Sequence, residues 1–220
     1  MTTMPAVAEQ QEMTRRPASY EQYLAEASET RFAEWADGEM IEYIPPLFHH
    51  QQVTWFLFSL MRGFVEALGL GVVGAAPMAF KLWPDGPARE PDVFYVSDSR
   101  RGNFTERWFE GGPDIAAEVI SAGSVREDWV RKFEEYERAG VREYWLVDPR
   151  PYQNAAEFYR LQGGIFQPVE LPDGRFMSTV LPGFWLDVAW LRQDPLPSYR
   201  EALTAIFRSS DAFPPDLRAL

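Results

Sequence analysis

Two stretches of the sequence decide the fold: Glu90-Pro91-Asp92-Val93-Phe94-Tyr95-Val96 and Pro113-Asp114-Ile115-Ala116-Ala117-Glu118-Val119-Ile120-Ser121. Each is short, apolar and rich in β-branched residues, which predicts a largely buried strand. Each also carries carboxylates. A buried acid needs a partner that offsets its lost hydration, and a hard divalent cation is one such partner.

A lysine follows one helix later, at Lys132 in Trp129-Val130-Arg131-Lys132-Phe133. Two buried acids with a nearby ammonium suggest metal-assisted attack of water on a phosphodiester. This hypothesis requires the three side chains to meet at one point. The ammonium must face the sheet, and the two acids must lie on the same side of it.

The composition indicates a globular protein. The chain has 220 residues, of which 46% are hydrophobic, and it has no cysteine, which excludes disulfides and thiolate metal sites. It contains no charge-free apolar stretch long enough to span a bilayer, so we expect no membrane association. Residues 1–17 lack the apolar core of a signal peptide and are typical of a disordered tail. We therefore expect a cytoplasmic protein.

The net charge of −12 argues against a simple nucleic-acid binder, because affinity for phosphate backbones comes mainly from basic patches. Arginines nevertheless cluster near the candidate site in the sequence, at positions 100, 101 and 107 and again at 126, 131, 138 and 142. They form either a basic rim on an acidic body or an ordinary solvated surface.

Hydrophobic periodicity supplies the other elements. Helices are predicted over 20–27, 50–68, 125–139 and 199–207. Strands are predicted over 72–75, 78–83 and 143–148, with a further short strand after Gly183. Two hairpins are predicted, one over 32–43 that turns at Asp37-Gly38 and one over 156–169 that turns at Gly163-Gly164. Strands interleaved with helices indicate a mixed α/β sheet flanked by helices.

The chain resembles the Uma-two family of endonucleases, a branch of the PD-(D/E)XK nuclease superfamily. The matching residues are Asp37-Gly38-Glu39, His50, Pro91-Asp92, Pro113-Asp114, Glu118 to Ser121, Asp128, Lys132, Tyr136 and 139–149. The resemblance covers about 20–188 and implies a restriction-endonuclease-like fold. We thus expect a tail over 1–17, a nuclease-like domain over 18–190 and a C-terminal helical extension over 191–220.

The resemblance also implies roles for particular residues. Asp92 and Glu118 would bind Mg²⁺ or Mn²⁺. The usual lysine position, two residues after Glu118, holds Ile120, and Lys132 would replace that lysine from the following helix. His50 would orient a water or a phosphate, and Glu39 would add a carboxylate for a second metal.

Each residue also has a structural explanation. Asp92 could begin its strand by accepting backbone hydrogen bonds, and Glu118 could pair with a buried arginine. Lys132 lies one helical turn from Asp128, so the two could form an exposed surface pair. Glu39 could be an ordinary polar strand residue, and His49 is expected at the surface.

Three functions remain open from the sequence. The first is a Mg²⁺-dependent endonuclease that cuts DNA. The second is a catalytically degenerate relative that binds a nucleic acid or a protein, and the third is a dimerisation module. We also expect a homodimer, because symmetric dimers are the commonest soluble assemblies.

Overall fold

A central six-stranded sheet positions the acids Asp92 and Glu118. The computed structural model describes residues 13–27, 33–43, 48–121, 127–150 and 155–218. In chain order the strands and α-helices are β1 (Met13–Pro17), α1 (Tyr20–Ala27), β2 (Ala33–Ala36), β3 (Glu39–Tyr43), α2 (Phe48–Leu68), β4 (Gly71–Ala75), β5 (Ala79–Lys81), β6 (Ala88–Arg89), β7 (Val93–Ser97), β8 (Trp108–Glu110), β9 (Ile115–Val119), α3 (Phe133–Arg138), β10 (Glu143–Asp148), β11 (Ala155–Gln162), β12 (Ile165–Pro168), β13 (Arg175–Met177), β14 (Trp185–Asp187), α4 (Tyr199–Arg208) and α5 (Pro215–Arg218). A π-helical turn, Glu127–Lys132, leads directly into α3, and short 3-10 turns occur at Asp98–Asn103, Pro172–Gly174 and Val188–Arg192.

The central sheet has the order β12-β11-β10-β9-β7-β4. β9 and β10 run parallel, whereas the other neighbouring strands are antiparallel. One face packs against α2, whose seven buried apolar side chains each stabilise the fold by about 1.5–3 kcal/mol. The other face packs against the helical segment that contains Tyr136. The prediction of a mixed α/β sheet flanked by helices is therefore confirmed.

A second sheet has the order β1-β3-β2-β6-β5-β8. Its hairpin β2–β3 turns at Asp37-Gly38, as predicted, and both residues have a positive φ (53° and 76°). Asp and Gly suit this turn because they tolerate the left-handed region better than most residues. The short strands β6 and β8 were not predicted from the sequence.

Both ends of the described chain pack against the rest of the molecule. Residues 13–17 were expected in a disordered tail, yet Met13–Pro17 pairs antiparallel with β3 along its whole length. The backbone pairing with β3 orders this segment, which has no apolar pattern that would predict a strand. Helix α4 was expected in an appended segment, but Leu203, Ile206 and Phe207 are buried in the same core as α2. Residues 1–12 lie outside the described residues.

Other predicted elements are present with shifted bounds. The glycine hairpin joins β11 to β12, and α2 begins two residues earlier than the pattern indicated. The helix predicted over 125–139 is a π-helical turn followed by a short α-helix, and positions 125 and 126 are not described. None of the helices in the described ranges combines the length and the apolarity that a membrane crossing requires.

Candidate active site

Asp92 and Glu118 lie opposite each other on neighbouring strands. Val93 of β7 pairs with Ala117 of β9, so the next residues outward, Asp92 and Glu118, face each other across the ladder. The backbone N–H of Asp92 donates to Glu118 Oε2 (3.4 Å), and that of Val119 donates to Asp92 Oδ2 (2.8 Å). The two acids therefore lie on the same side of the sheet.

Lys132 is buried and contacts one of these two acids, Glu118. Its Nζ lies 3.1 Å from Glu118 Oε1, 3.1 Å from Glu34 Oε1 and 3.2 Å from Asp128 Oδ1. The Asp128–Lys132 pair is thus real, but the residues are only 3% and 4% exposed. The alternative of a solvent-exposed surface pair is wrong, because this helical face is turned toward the sheet.

The π-helical turn Glu127–Lys132 sets the direction of the lysine. A π turn holds one more residue than an α turn, so it changes which side chains share a face, and such turns are frequent at functional sites. Tyr144 OH donates to the carbonyl of Asp128 (2.9 Å) and ties the turn to β10. One turn later, Tyr136 OH donates to Glu118 Oε1 (3.0 Å). The same carboxylate oxygen is therefore held by the lysine and by the tyrosine.

The site carries a surplus of carboxylates over cations. Burial raises the pKa of Glu118 well above its usual value; the Lys132 charge opposes this shift, while Asp128 and Asp92 add to it. Burial and the neighbouring Glu34 charge raise the pKa of Glu90 to about 8, although its hydrogen bond from Tyr23 acts in the opposite direction. Carboxylates that are this difficult to ionise together favour an additional cation.

His50, in the first turn of α2, also reaches the site. Its Nε2 lies 3.4 Å from Asp92 Oδ2. Burial alone would lower the pKa of His50, but the hydrogen bond and charge of Asp92, the backbone of Val119 and the charge of Asp128 together raise it. Its Nδ1 is buried and has no hydrogen-bond partner among the described residues. The adjacent His49 is half-buried and makes no comparable contact in the described part of the chain.

A family model described as "Putative restriction endonuclease", Uma2, matches residues 17–189. The chain belongs to the Uma2 family. It is also similar in structure to "a putative nuclease belonging to DUF820 from Anabaena variabilis ATCC 29413", with a TM-score of 0.62 and 16% sequence identity. The likeness covers 77% of this chain and 96% of the other, and at this identity it concerns the fold. No curated protein in the comparison matches the chain.

The Uma2 assignment and the structural neighbour confirm the restriction-endonuclease-like fold. Ile120 occupies the position where the superfamily usually has its lysine. Its side chain is 1% exposed and belongs to the apolar cluster of Tyr136 and Tyr144. Lys132 contacts Glu118 from the helical side.

Glu39 is the one candidate residue that the structure does not bring near the Asp92–Glu118 pair. It lies at the turn end of the β2–β3 hairpin, is 38% exposed, and pairs with Arg15 (3.3 Å). Glu34 of the preceding strand instead contacts Lys132 Nζ, through Oε1 at 3.1 Å. Glu34 was not predicted from the sequence as a site residue, although an acid between the apolar residues Ala33 and Trp35 is the pattern that could have identified it.

The donor set is compatible with a hard cation, although it is not a complete cage. Among the described residues, no three Asp, Glu or His side chains are grouped as a metal site. Mg²⁺ commonly keeps several waters and is held by one or two carboxylates. Glu118 Oε1 is occupied by Lys132 and Tyr136, whereas Oε2 is turned toward Asp92. The two facing carboxylates therefore fit such an ion.

Proposed function

We propose that this protein is a Mg²⁺- or Mn²⁺-dependent endonuclease that hydrolyses the phosphodiester bonds of DNA. The observation that carries the proposal is the meeting of Asp92, Glu118 and Lys132 on one side of the sheet. The description of the Uma2 family and that of the structural neighbour both name a nuclease, which supports the same conclusion.

Each side chain has a task in this proposal. Asp92 and Glu118 would hold the cation, which would acidify the attacking water and stabilise the charge that develops on the phosphate oxygens. Lys132 and Tyr136 fix Glu118 through Oε1, so that Oε2 stays directed at Asp92. Asp92 is 24% exposed and Glu118 is 2% exposed, so Asp92 lies on the side from which DNA approaches.

His50 orients the exposed acid. Its Nε2 approaches Asp92 Oδ2, the oxygen that also accepts the Val119 N–H bond, so that both contacts fix the orientation of this carboxylate. The raised pKa of His50 keeps a larger fraction of the ring protonated near neutral pH than in an ordinary histidine. A protonated ring donates from both nitrogens, so in this state Nε2 can donate to the Asp92 carboxylate.

Cleavage of supercoiled plasmid with Mg²⁺ or Mn²⁺ tests the proposal. Wild-type protein should nick the plasmid, and Glu118→Gln and Lys132→Ala should each lower the rate by about a hundredfold or more. Lys81→Ala is the matched control, because Lys81 packs over the rings of Tyr20 and Trp35, away from the acids. Nicking that survives both site substitutions would come from a contaminant and would remove the nuclease function.

A binding protein of nuclease fold that does not cut is the second candidate. The observation that favours it is that Lys132 is enclosed by carboxylates and 4% exposed, on a chain of net charge −12. Salt-dependent DNA binding without cleavage in either metal would select this function over the first. A stable dimer that responds neither to metal nor to DNA would select the third possibility, a dimerisation module.

We further propose that the protein acts as a homodimer in the cytoplasm. Cutting both strands of DNA requires two passes by one site or two paired sites, and two-fold symmetry supplies the latter. Sedimentation should give twice the chain mass at micromolar concentration. A monomeric mass there would contradict the dimer but would leave the nicking activity untouched.

A further inference from the structure

Arg89 is a fully buried arginine that no part of the proposed chemistry uses. It lies on the two-residue strand β6, and its side chain is 0% exposed. Its NH1 lies 3.0 Å from Glu34 Oε2 and 2.8 Å from Glu127 Oε1, and its Nε and NH2 bind the carboxylate of Glu135 at 2.5 and 2.9 Å. Removal of such a charge from water is costly, so the guanidinium is stable here only because these carboxylates surround it.

These carboxylates belong to the elements that place Lys132. Glu34 uses Oε2 for Arg89 and Oε1 for Lys132, so a single side chain connects the two cations. Glu127 begins the π-helical turn that ends at Lys132, and Glu135 follows in α3. Arg89 therefore holds the lysine-bearing segment on both sides of the lysine, and it holds Glu34, which contacts the lysine.

We propose that Arg89 is a positioning residue for the candidate site, which clamps Glu34, Glu127 and Glu135 so that the Lys132 ammonium is held against Glu118. This inference rests on the proposed function for its catalytic consequence, but not for its geometric claim. A lysine cannot replace the arginine fully, because only the planar guanidinium presents donors to several carboxylates at once.

The N-terminal strand completes the clamp. Arg15 of β1 contacts Glu127 Oε2, while Arg89 contacts Oε1 of the same carboxylate. Arg15 also pairs with Glu39, which explains the position of that acid outside the site. The second sheet thus grips the start of the π-helical turn from β1 and from β6.

The reactivity of Lys132 toward an amine reagent distinguishes positioning from general stabilisation. The chain has only two lysines, Lys81 and Lys132, so peptide mass spectrometry can follow each rate separately. Lys81 lies on β5, which pairs with the strand of Arg89, and it reports any loosening of that sheet. In Arg89→Met, Lys132 acetylation by an N-hydroxysuccinimide ester should rise by about tenfold or more, while Lys81 should change by less than about twofold.

Arg160→Met is the matched control, because Arg160 approaches a different buried carboxylate, Glu143, at 3.6 Å. It should leave the rates of both lysines unchanged. If Arg89→Met does not fold, as judged by circular dichroism, Arg89→Lys keeps one charge and undergoes the same test. An unchanged Lys132 rate, or equal rises at both lysines, would overturn the proposal. Failure of both variants to fold would assign Arg89 to stability alone and would overturn it too.

Kinetics supply the second readout. Arg89 is completely buried and cannot touch DNA, so Arg89→Lys should lower kcat for plasmid nicking by about a hundredfold and leave KM within about twofold. A change in KM alone would contradict a positioning role. If the wild-type protein does not cut DNA, the proposed function fails, yet the lysine reactivities still decide the role of Arg89.

Discussion

Glu118 Oε1 lies 3.1 Å from Lys132 Nζ, and both side chains are almost completely buried. The two residues come from a central strand and from a π-helical turn, with no regular secondary-structure element between them among the described residues. Their contact joins the sheet to the helical layer through charge rather than through apolar surface. Most of the testable consequences concern this contact and the groups around it.

The two partners of this contact should differ in their effect on stability. Lys132→Met leaves Glu34, Glu118 and Asp128 facing one another, so we expect a loss of about 3–5 kcal/mol of unfolding free energy. Glu118→Gln leaves the lysine with two carboxylates, and a loss of about 1–3 kcal/mol is expected. Urea denaturation measures both. Arg62→Met, at an exposed pair with Glu66, is the control and should cost less than about 1 kcal/mol. Equal losses for the two buried variants would contradict the asymmetry.

Asp92 should determine metal affinity. Asp92→Asn removes a charged ligand, so Mn²⁺ affinity measured by calorimetry should fall by about tenfold or more. Another Pro-Asp pair of the chain, Pro113-Asp114, offers a matched control. Asp114 is buried, accepts the Ser97 N–H at 2.8 Å and lies near Arg100 and Arg142, outside the site. Asp114→Asn should lower stability without altering Mn²⁺ affinity. Loss of Mn²⁺ binding in both variants would point to misfolding rather than to a ligand.

The adjacent histidines form a natural pair for testing His50. His50→Ala removes the group that approaches Asp92 Oδ2, and kcat for nicking should fall by about 10- to 100-fold. His49→Ala should have no effect on kcat, because His49 makes no such contact among the described residues. A larger effect from His49 than from His50 would remove the assigned role.

Glu34 should matter more for activity than Glu39, although Glu39, and not Glu34, was the site residue predicted from the sequence. Glu34→Gln breaks the bridge between Lys132 and Arg89, so activity should drop by about tenfold or more. Glu39→Gln breaks a half-exposed pair with Arg15, worth about 0–1 kcal/mol, and nicking should be nearly unchanged. Plasmid nicking rates compare the two directly, and the opposite order would restore Glu39 to the site.

Much of the fold could be predicted from the local sequence pattern, because its main helices and strands show the spacing of apolar residues that is typical of each. The buried side chains of α2 recur at helical spacing, and β7 and β9 are apolar runs bounded by polar residues. The facing of Asp92 and Glu118 depends on strand register, which local pattern does not determine. The sequence could therefore suggest that the two acids meet, but the register is what places them opposite each other.

Three features could not be read from the sequence, for physical reasons. The π-helical turn at Glu127–Lys132 has no distinctive composition, so the direction of Lys132 remained open. Glu34 lies in a four-residue strand and becomes informative only when β6 brings Arg89 beside it. Strand β1 contains two charged arginines in five residues, which resembles a solvated tail until its backbone pairs with β3.

The position of the Lys132 ammonium depends on both sheets of the molecule. Asp92 and Glu118 belong to the central sheet, whereas Arg89 and Glu34 of the second sheet contact the segment that carries Lys132. Under the proposed function, activity would therefore depend on both sheets and on the contacts between them, not on the sheet of the acids alone.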